Sequence, residues 1–187
     1  MLLTSKPFSF ILTVLKLIEP PKVIGICMGV FLGYLLGIHD RIQILDFGLI
    51  YLILGNALGA ASSFILNQIL EIKNDFKMKR TQARLLASGQ VSLKFAYSLS
   101  AVLACSSLTL LLLKIGFSSA LFTFLTGFVY VALYTPLKNK THFNTSLGAL
   151  SGALLPLAGF SFHHEITSPL FLASSAILYS FAFWGWQ

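Results

Sequence analysis

The sequence predicts an all-α integral membrane protein, a bundle of about six transmembrane helices forming a single domain over residues 1–187. Three observations predict it. Hydrophobic residues make up 56% of the chain and charged residues 10%, against about 25% charged in a soluble domain. The mean hydropathy is +0.84, so too few polar side chains exist to cover a water-facing surface. Apolar runs near the ~20 residues that span a hydrocarbon core occupy residues 23–38, 47–70, 94–113, 117–135, 145–161 and 169–186.

The elements follow in order. Residues 8–18 read as a short interfacial helix lying on the membrane. No small-residue cleavage signature follows Lys6, so a signal peptide is not expected. Pro20 and Pro21 start the first span, because proline is tolerated in a first helical turn; His39, Asp40 and Arg41 end it. The second span runs into the most polar part of the chain, Asn67 to Arg84. Gly116 and the serines after it turn the chain between spans three and four, and Pro136 ends span four. The fifth run is short enough to need help from its flanks. His163, His164 and Glu165 occupy the next turn, and Pro169 restarts the helix.

Small residues recur along the spans. Gly25, Gly29, Gly33 and Gly37 repeat every four residues; Gly55, Gly59, Ala60, Ala61 and Ser62 follow in span two, and Gly148, Ser151 and Gly152 in span five. At that spacing they make smooth faces along which helices approach closely. Cys27 and Cys105 lie in apolar stretches and read as small buried hydrophobes, with neither a disulfide framework nor metal spacing.

A net charge of +7 suggests nucleic acid in a soluble protein. Here no nucleic-acid partner is expected, because basic residues of a membrane protein sort by side. With the N-terminus inside, the inner segments carry Lys6, Lys16, Lys22, Lys73, Lys77, Lys79, Arg80, Arg84, Lys94, Lys138 and Lys140. The outer loops carry Arg41 and Lys114. This asymmetry supports the span count and places the N-terminus and the 72–94 loop in the cytoplasm.

Chemistry concentrates in one segment. Asn67, Glu71 and Asp75 are spaced by four, so a continuing helix projects all three from one face. Two carboxylates and an amide suit Mg²⁺, which takes one or two carboxylates and completes its shell with water and phosphate oxygens. Lys73, Lys77, Lys79, Arg80 and Arg84 sit beside them, and such a basic loop neutralises phosphate charge. The same residues also suit an ordinary helix end and a basic loop against anionic lipid.

The stretch NQILEIKNDFKMKRTQARLLASG over residues 67–89 resembles the first motif of the UbiA superfamily of membrane prenyltransferases. It is most similar to the heme branch, protoheme IX farnesyltransferase or heme o synthase. That family reads N-x-x-x-D-x-D-x-D followed by K-M-x-R-T-x-x-R-P-L-x-S-G. A second stretch, YTPLKNKTHFN over residues 134–144 with Gly148, Gly152, Ala153, Pro156 and Gly159 beyond it, resembles the family's Y-T-x-x-L-K-R-x-T-x-x-N…G…G-A-x-P-P-x-x-G. Leu17 to Lys22 resembles its opening L-T-K-P-R. Departures are specific: Glu71 stands for the first aspartate, Lys73 for the middle one, Ile72 for an arginine and Leu85 for a proline. Trp186-Gln187 resembles the W-Q that precedes the loop bearing a second acidic motif, D-D-Y.

The resemblance implies the N-terminal two-thirds of a nine-helix UbiA-type fold, apparently truncated on the C-terminal side. The expected setting is a bacterial inner membrane, with the lipid bilayer as partner. The implied reaction is Mg²⁺-dependent transfer of a farnesyl group from farnesyl diphosphate to a vinyl group of heme b, giving heme o. Heme b is then a substrate rather than a cofactor. Carried over by position, Asn67, Glu71 and Asp75 form the metal and catalytic face. Lys77, Arg80, Arg84, Lys138 and Asn144 bind the diphosphate, and His142 is a loop candidate for heme contact. One alternative is a catalytically inactive remnant of the family; another is a UbiA-type enzyme acting on a quinone precursor. A transporter or lipid-binding module would carry charged groups at mid-membrane, and the spans have none there.

Overall fold

The computed structural model describes residues 7–38, 46–138, 140–141, 143–164 and 168–185. Lys6, His39, Asp40, Arg41, His142, Glu165, Trp186 and Gln187 lie outside the described residues.

Every regular element among the described residues is helical. α1 covers Pro7–Ile18, and α2 covers Pro20–Gly37 with prolines in its first turn. α3, Phe47–Lys77, is 31 residues long. At 1.5 Å per residue it rises about 46 Å, well beyond the ~30 Å hydrocarbon thickness. Twenty residues from Phe47 reach Asn67, so its polar turns stand at the membrane boundary. After a turn-rich segment, α4 covers Leu93–Lys114. Its N-cap Ser92 accepts a hydrogen bond from Phe95 N at 3.3 Å.

α5, Phe117–Phe128, continues through a wider π turn, Val129–Tyr134, into a last α turn, α6, Thr135–Leu137. The sequence reading ends this span at Pro136, but the helix passes through it. Proline lacks an N–H and its ring crowds the carbonyl four residues earlier. Widening the preceding turn relieves that crowding. The Thr135 N–H bonds Tyr130 O one residue further back, and Thr135 Oγ1 donates to the same oxygen at 2.8 Å. α7 covers Asn144–Phe160 and α8 covers Pro169–Gly185.

Four of these helices, Pro20–Gly37, Phe47–Lys77, Leu93–Lys114 and Phe117–Leu137, are long and apolar enough to cross a membrane alone. α7 and α8, at 17 residues each, complete six apolar helices. Long apolar side chains such as Met28, Leu36, Ile50, Leu113 and Ile177 face outward, as in a bundle whose solvent is lipid.

The small-residue faces are the helix contacts. A Cβ on Gly33 would lie 1.8 Å from Pro156 O, and one on Gly159 would lie 1.9 Å from Val30 O. α2 and α7 therefore touch backbone to backbone, which no other residue permits. Between α3 and α4, Ser107 Oγ donates to Gly55 O at 2.7 Å and Ser62 Oγ to Ser100 O at 2.9 Å. Such bonds count where water cannot compete. The polar end of α3 is braced by a cluster of Leu17, Ile65, Ile69, Leu86 and Ala96.

Candidate functional site

The site is built on the last three turns of α3. Asn67, Glu71 and Asp75 are 5%, 7% and 4% exposed, so an acidic face that would otherwise point to water is enclosed. Burying two carboxylates is costly unless each meets a cation or donor, and the rest of the fold supplies them.

The segment after α3 folds back along it. Thr81 Oγ1 donates to Asp75 O at 3.2 Å. The turn at Ser88-Gly89 uses a positive φ of 71° at Gly89, which glycine adopts without steric cost. The turns over residues 78–84, with Thr81 N and Gln82 N donating to Met78 O and Arg84 N to Thr81 O, return Arg84 to the carboxylates: its Nη1 lies 2.7 Å from Asp75 Oδ2 and its Nη2 3.1 Å from Glu19 Oε1. Burial disfavours the Arg84 charge, but the hydrogen bond to Asp75 and the fields of Glu19, Asp75 and Glu71 together outweigh it, and its pKa stands above the ordinary value. Arg84 stays cationic at any working pH.

The turn after α6 supplies the second cation. Lys138 Nζ pairs with Glu71 Oε1, and Asn67 Nδ2 donates to Glu71 Oε2 at 3.1 Å and to Thr135 Oγ1 at 3.0 Å. Asn144 Nδ2 donates to Lys138 O at 3.2 Å, so Asn144 braces the lysine's backbone. Glu19, at the N-terminus of α2, also pairs with Lys22. The ion pairs therefore link three carboxylates, Glu19, Glu71 and Asp75, with three cations, Lys22, Arg84 and Lys138.

Of the residues singled out from sequence, Asn67, Glu71, Asp75, Arg84 and Lys138 come together, with Asn144 behind Lys138. Lys77 and Arg80 are exposed, and among the described residues neither makes an ion pair. Lys73 is exposed as well, off the acidic face. Glu19, Lys22 and Thr135 are the site members that sequence reasoning did not select. Glu19 is one of only six acids in the chain and sits beside the two prolines that open a span, a signal that was available.

Beneath this cluster lies a largely apolar cavity of about 390 Å³, lined by Lys22, Gly25, Ala60, Phe64, Gly127, Tyr130, Gly152 and Leu155 among others. Lys22 Nζ stands 5.6 Å from the centroid of the Phe64 ring at its charged end. Asn56 and Thr123 also line it; Thr123 Oγ1 donates to Asn56 Oδ1 at 2.9 Å. Asn56 lies eleven residues before Asn67, so the two ends of the arrangement are about 16 Å apart along α3.

The donor set can be tested against Mg²⁺. Among the described residues, no group of three His, Cys, Asp or Glu side chains is placed to hold a metal. Two carboxylates on adjacent turns nevertheless match the ion's habit of taking one or two and filling its shell with phosphate oxygens and water. They fit one ion that arrives with a phosphorylated substrate.

Fold and site together define a multi-pass helical membrane protein whose bundle holds an apolar cavity capped by a charged, anion-competent cluster. Residues 26–187 match the model of the UbiA prenyltransferase family, and the chain belongs to that family. It is 40% identical over 129 residues to the mitochondrial protoheme IX farnesyltransferase of Arabidopsis thaliana, covering 69% of this chain and 30% of that protein. It is 37% identical over 149 residues to the protoheme IX farnesyltransferase of Opitutus terrae, covering 79% and 49%. The chain thus spans about half the length, or less, of these curated relatives. Among solved structures, that of a digeranylgeranylglyceryl phosphate synthase superposes with a TM-score of 0.75 at 22% identity, over 90% of this chain and 60% of that one. A UbiA homologue from Archaeoglobus fulgidus bound to GPP and Mg²⁺ gives 0.69 at 18%, with the same coverages. At these identities the structures speak to the fold alone.

Proposed function

We propose that this chain binds farnesyl diphosphate with Mg²⁺ and carries the diphosphate-activating part of a farnesyl transfer to heme b, giving heme o. The observation that carries the reading is the enclosed face of Asn67, Glu71 and Asp75, set against Arg84 and Lys138 above an apolar cavity. The heme-branch relatives and the motif over residues 67–89 support the choice of substrates.

In this reading the diphosphate lies between α3 and the two cations, and the farnesyl tail descends into the cavity past Phe64 and Tyr130. Glu71 and Asp75 would hold Mg²⁺, which neutralises charge on the departing pyrophosphate. Lys138 and Arg84 face the phosphate oxygens; Arg84, anchored through Nη1 on Asp75, offers the other arm of its fork. Asn67, fixed by Thr135, keeps Glu71 oriented. The C1–O bond breaks, pyrophosphate leaves, the terminal vinyl carbon of heme b captures the allylic cation, and water then adds to the cation left on the adjacent carbon and loses a proton, giving the hydroxylated side chain of heme o. The cavity walls keep water from the allylic cation. The membrane orientation that goes with this reading places the N-terminus and the 72–94 loop on the cytoplasmic side.

The test is direct. Membranes containing the chain receive heme b, farnesyl diphosphate and Mg²⁺, and the pigment is analysed by mass. Heme o is expected, and Asp75→Ala should abolish it. Absence of heme o from folded, membrane-inserted protein would refute transfer by this chain.

A second reading is binding of prenyl diphosphate without transfer. It is favoured by Lys73, a cation at a position where the family pattern has an acid, and by the pairing of Glu71 and Asp75 with internal cations. It predicts farnesyl diphosphate binding that Arg84→Ala weakens, with no product from heme b or from a quinone precursor.

A further inference from the structure

We propose that Glu19 is a built-in anion: its carboxylate occupies the place between Lys22 and Arg84 that the diphosphate of an incoming substrate takes. The inference rests on the diphosphate reading above and adds Lys22 to the receiving residues.

Two cations converge on this one side chain. Lys22 Nζ pairs with Oε2 and Arg84 Nη2 reaches Oε1 at 3.1 Å. The Glu19 side chain is 18% exposed, so the contact is substantially shielded from water. The place is also the charged end of the apolar cavity, because Lys22 both lines it and stands over Phe64. A cation lining an apolar cavity, with a second cation on the other side of one carboxylate, suits an amphipathic substrate with an anionic head.

The Glu19 carboxylate is not held there by capping its own helix. Glu19 is the N-cap of α2, yet its side chain makes no capping hydrogen bond. Its backbone has φ 52°, the one positive value at a non-glycine position among the described residues. The left-handed region is unfavourable for glutamate, and such conformations persist only where the surroundings hold them. The surroundings are visible: Gln68 Nε2 donates to Leu17 O at 2.8 Å, which ties the end of α1 to α3, and Pro20 follows directly. Glu19 thus sits at the junction between two helices, outside α3, and its side chain can withdraw without disturbing α3.

Arg84 keeps Asp75 as a partner when Glu19 leaves, so it remains in place with one end of its fork free. Lys22 is freed entirely. The balance of three acids against three cations then moves toward positive charge as the anionic head arrives. An internal carboxylate thereby lowers affinity for the substrate's anionic end and keeps the vacant site neutral.

Inorganic pyrophosphate is the probe, titrated by calorimetry into the purified full chain in detergent without divalent metal. If Glu19 competes for the site, Glu19→Gln binds pyrophosphate roughly tenfold more tightly than the native chain, with a steeper salt dependence. Adding Lys22→Met to Glu19→Gln removes that gain. Glu19→Asp, which keeps the charge but shortens the reach, falls between the native chain and Glu19→Gln and serves if the amide variant fails to fold. Unchanged or weaker binding by the folded Glu19→Gln chain would overturn the inference, since a side chain that merely positions Arg84 gives the opposite sign. If neither folded chain binds pyrophosphate either without metal or with Mg²⁺ added, this inference and the diphosphate reading both fall. If the native chain binds and loses binding on Arg84→Ala while Glu19→Gln changes nothing, only this inference falls.

Discussion

Replacing Lys138 with methionine removes the cation facing Glu71 while keeping most of the side chain's apolar length. Glu71 is 7% exposed, so water cannot stand in for the lost ammonium. The remaining contact is the 3.1 Å bond from Asn67 Nδ2. Unit charges about 4 Å apart attract by roughly 4 kcal/mol at an effective dielectric constant near 20. Removing one partner of a buried pair typically costs about 3–5 kcal/mol, because a lone charge is left behind. Lys138's side chain is 26% exposed, which places the expected loss for Lys138→Met lower, at about 2–3 kcal/mol. The double variant Glu71→Gln/Lys138→Met has no stranded charge and should return to within about 1 kcal/mol of the native chain. The assay is unfolding in detergent micelles by titrated dodecyl sulfate, followed by tryptophan fluorescence for all four members of the cycle. Native stability in Lys138→Met, or a double variant weaker than Lys138→Met, would refute the reasoning that buried Glu71 depends on Lys138.

Gly33→Ala should destabilise the bundle by about 2 kcal/mol or more in the same assay, because its Cβ meets Pro156 backbone rather than a side chain that can yield. Gly25→Ala, with nothing within 4 Å, is the control and should unfold like the native chain. Arg84→Lys should keep the fold but weaken pyrophosphate binding roughly tenfold, since an ammonium cannot serve two partners with a planar fork; equal binding would argue against a bidentate role. His163 gives a pH dependence at the far end of α2. Burial and the neighbouring His164 lower its pKa below 6.5, with Asp46 acting the other way, and its Nε2 has no hydrogen-bond partner among the described residues. The folded chain therefore prefers neutral His163. The stability this contributes is present above about pH 6.5 and is lost as pH falls from there through the lower folded value. Thermal melts at pH 8 and pH 5 should show the loss, and His163→Phe should reduce it.

Much of this protein was legible before any coordinates. An apolar chain with few charges has to place its side chains in lipid and its polar backbone in helices, so composition alone determines a membrane-spanning bundle. Lipid-length runs then mark where the helices lie. The four-residue spacing of Asn67, Glu71 and Asp75 determines a shared face as soon as α3 continues past residue 70. The recurring glycines announce close helix contacts, but not that Gly33 faces Pro156 or that Gly159 faces Val30. Only tertiary structure decided which cation serves which acid. Lys77 and Arg80 look as suitable as Arg84 in sequence, yet the turns over residues 78–84 return Arg84 to Asp75 and leave the other two exposed. Glu19 and Lys22, some fifty residues upstream of Asp75, join the site because α1 and α2 pack against α3. Spacing along one helix follows from local geometry and can be read from a string of letters. Pairing between helices depends on how the whole bundle closes, and no local pattern records it.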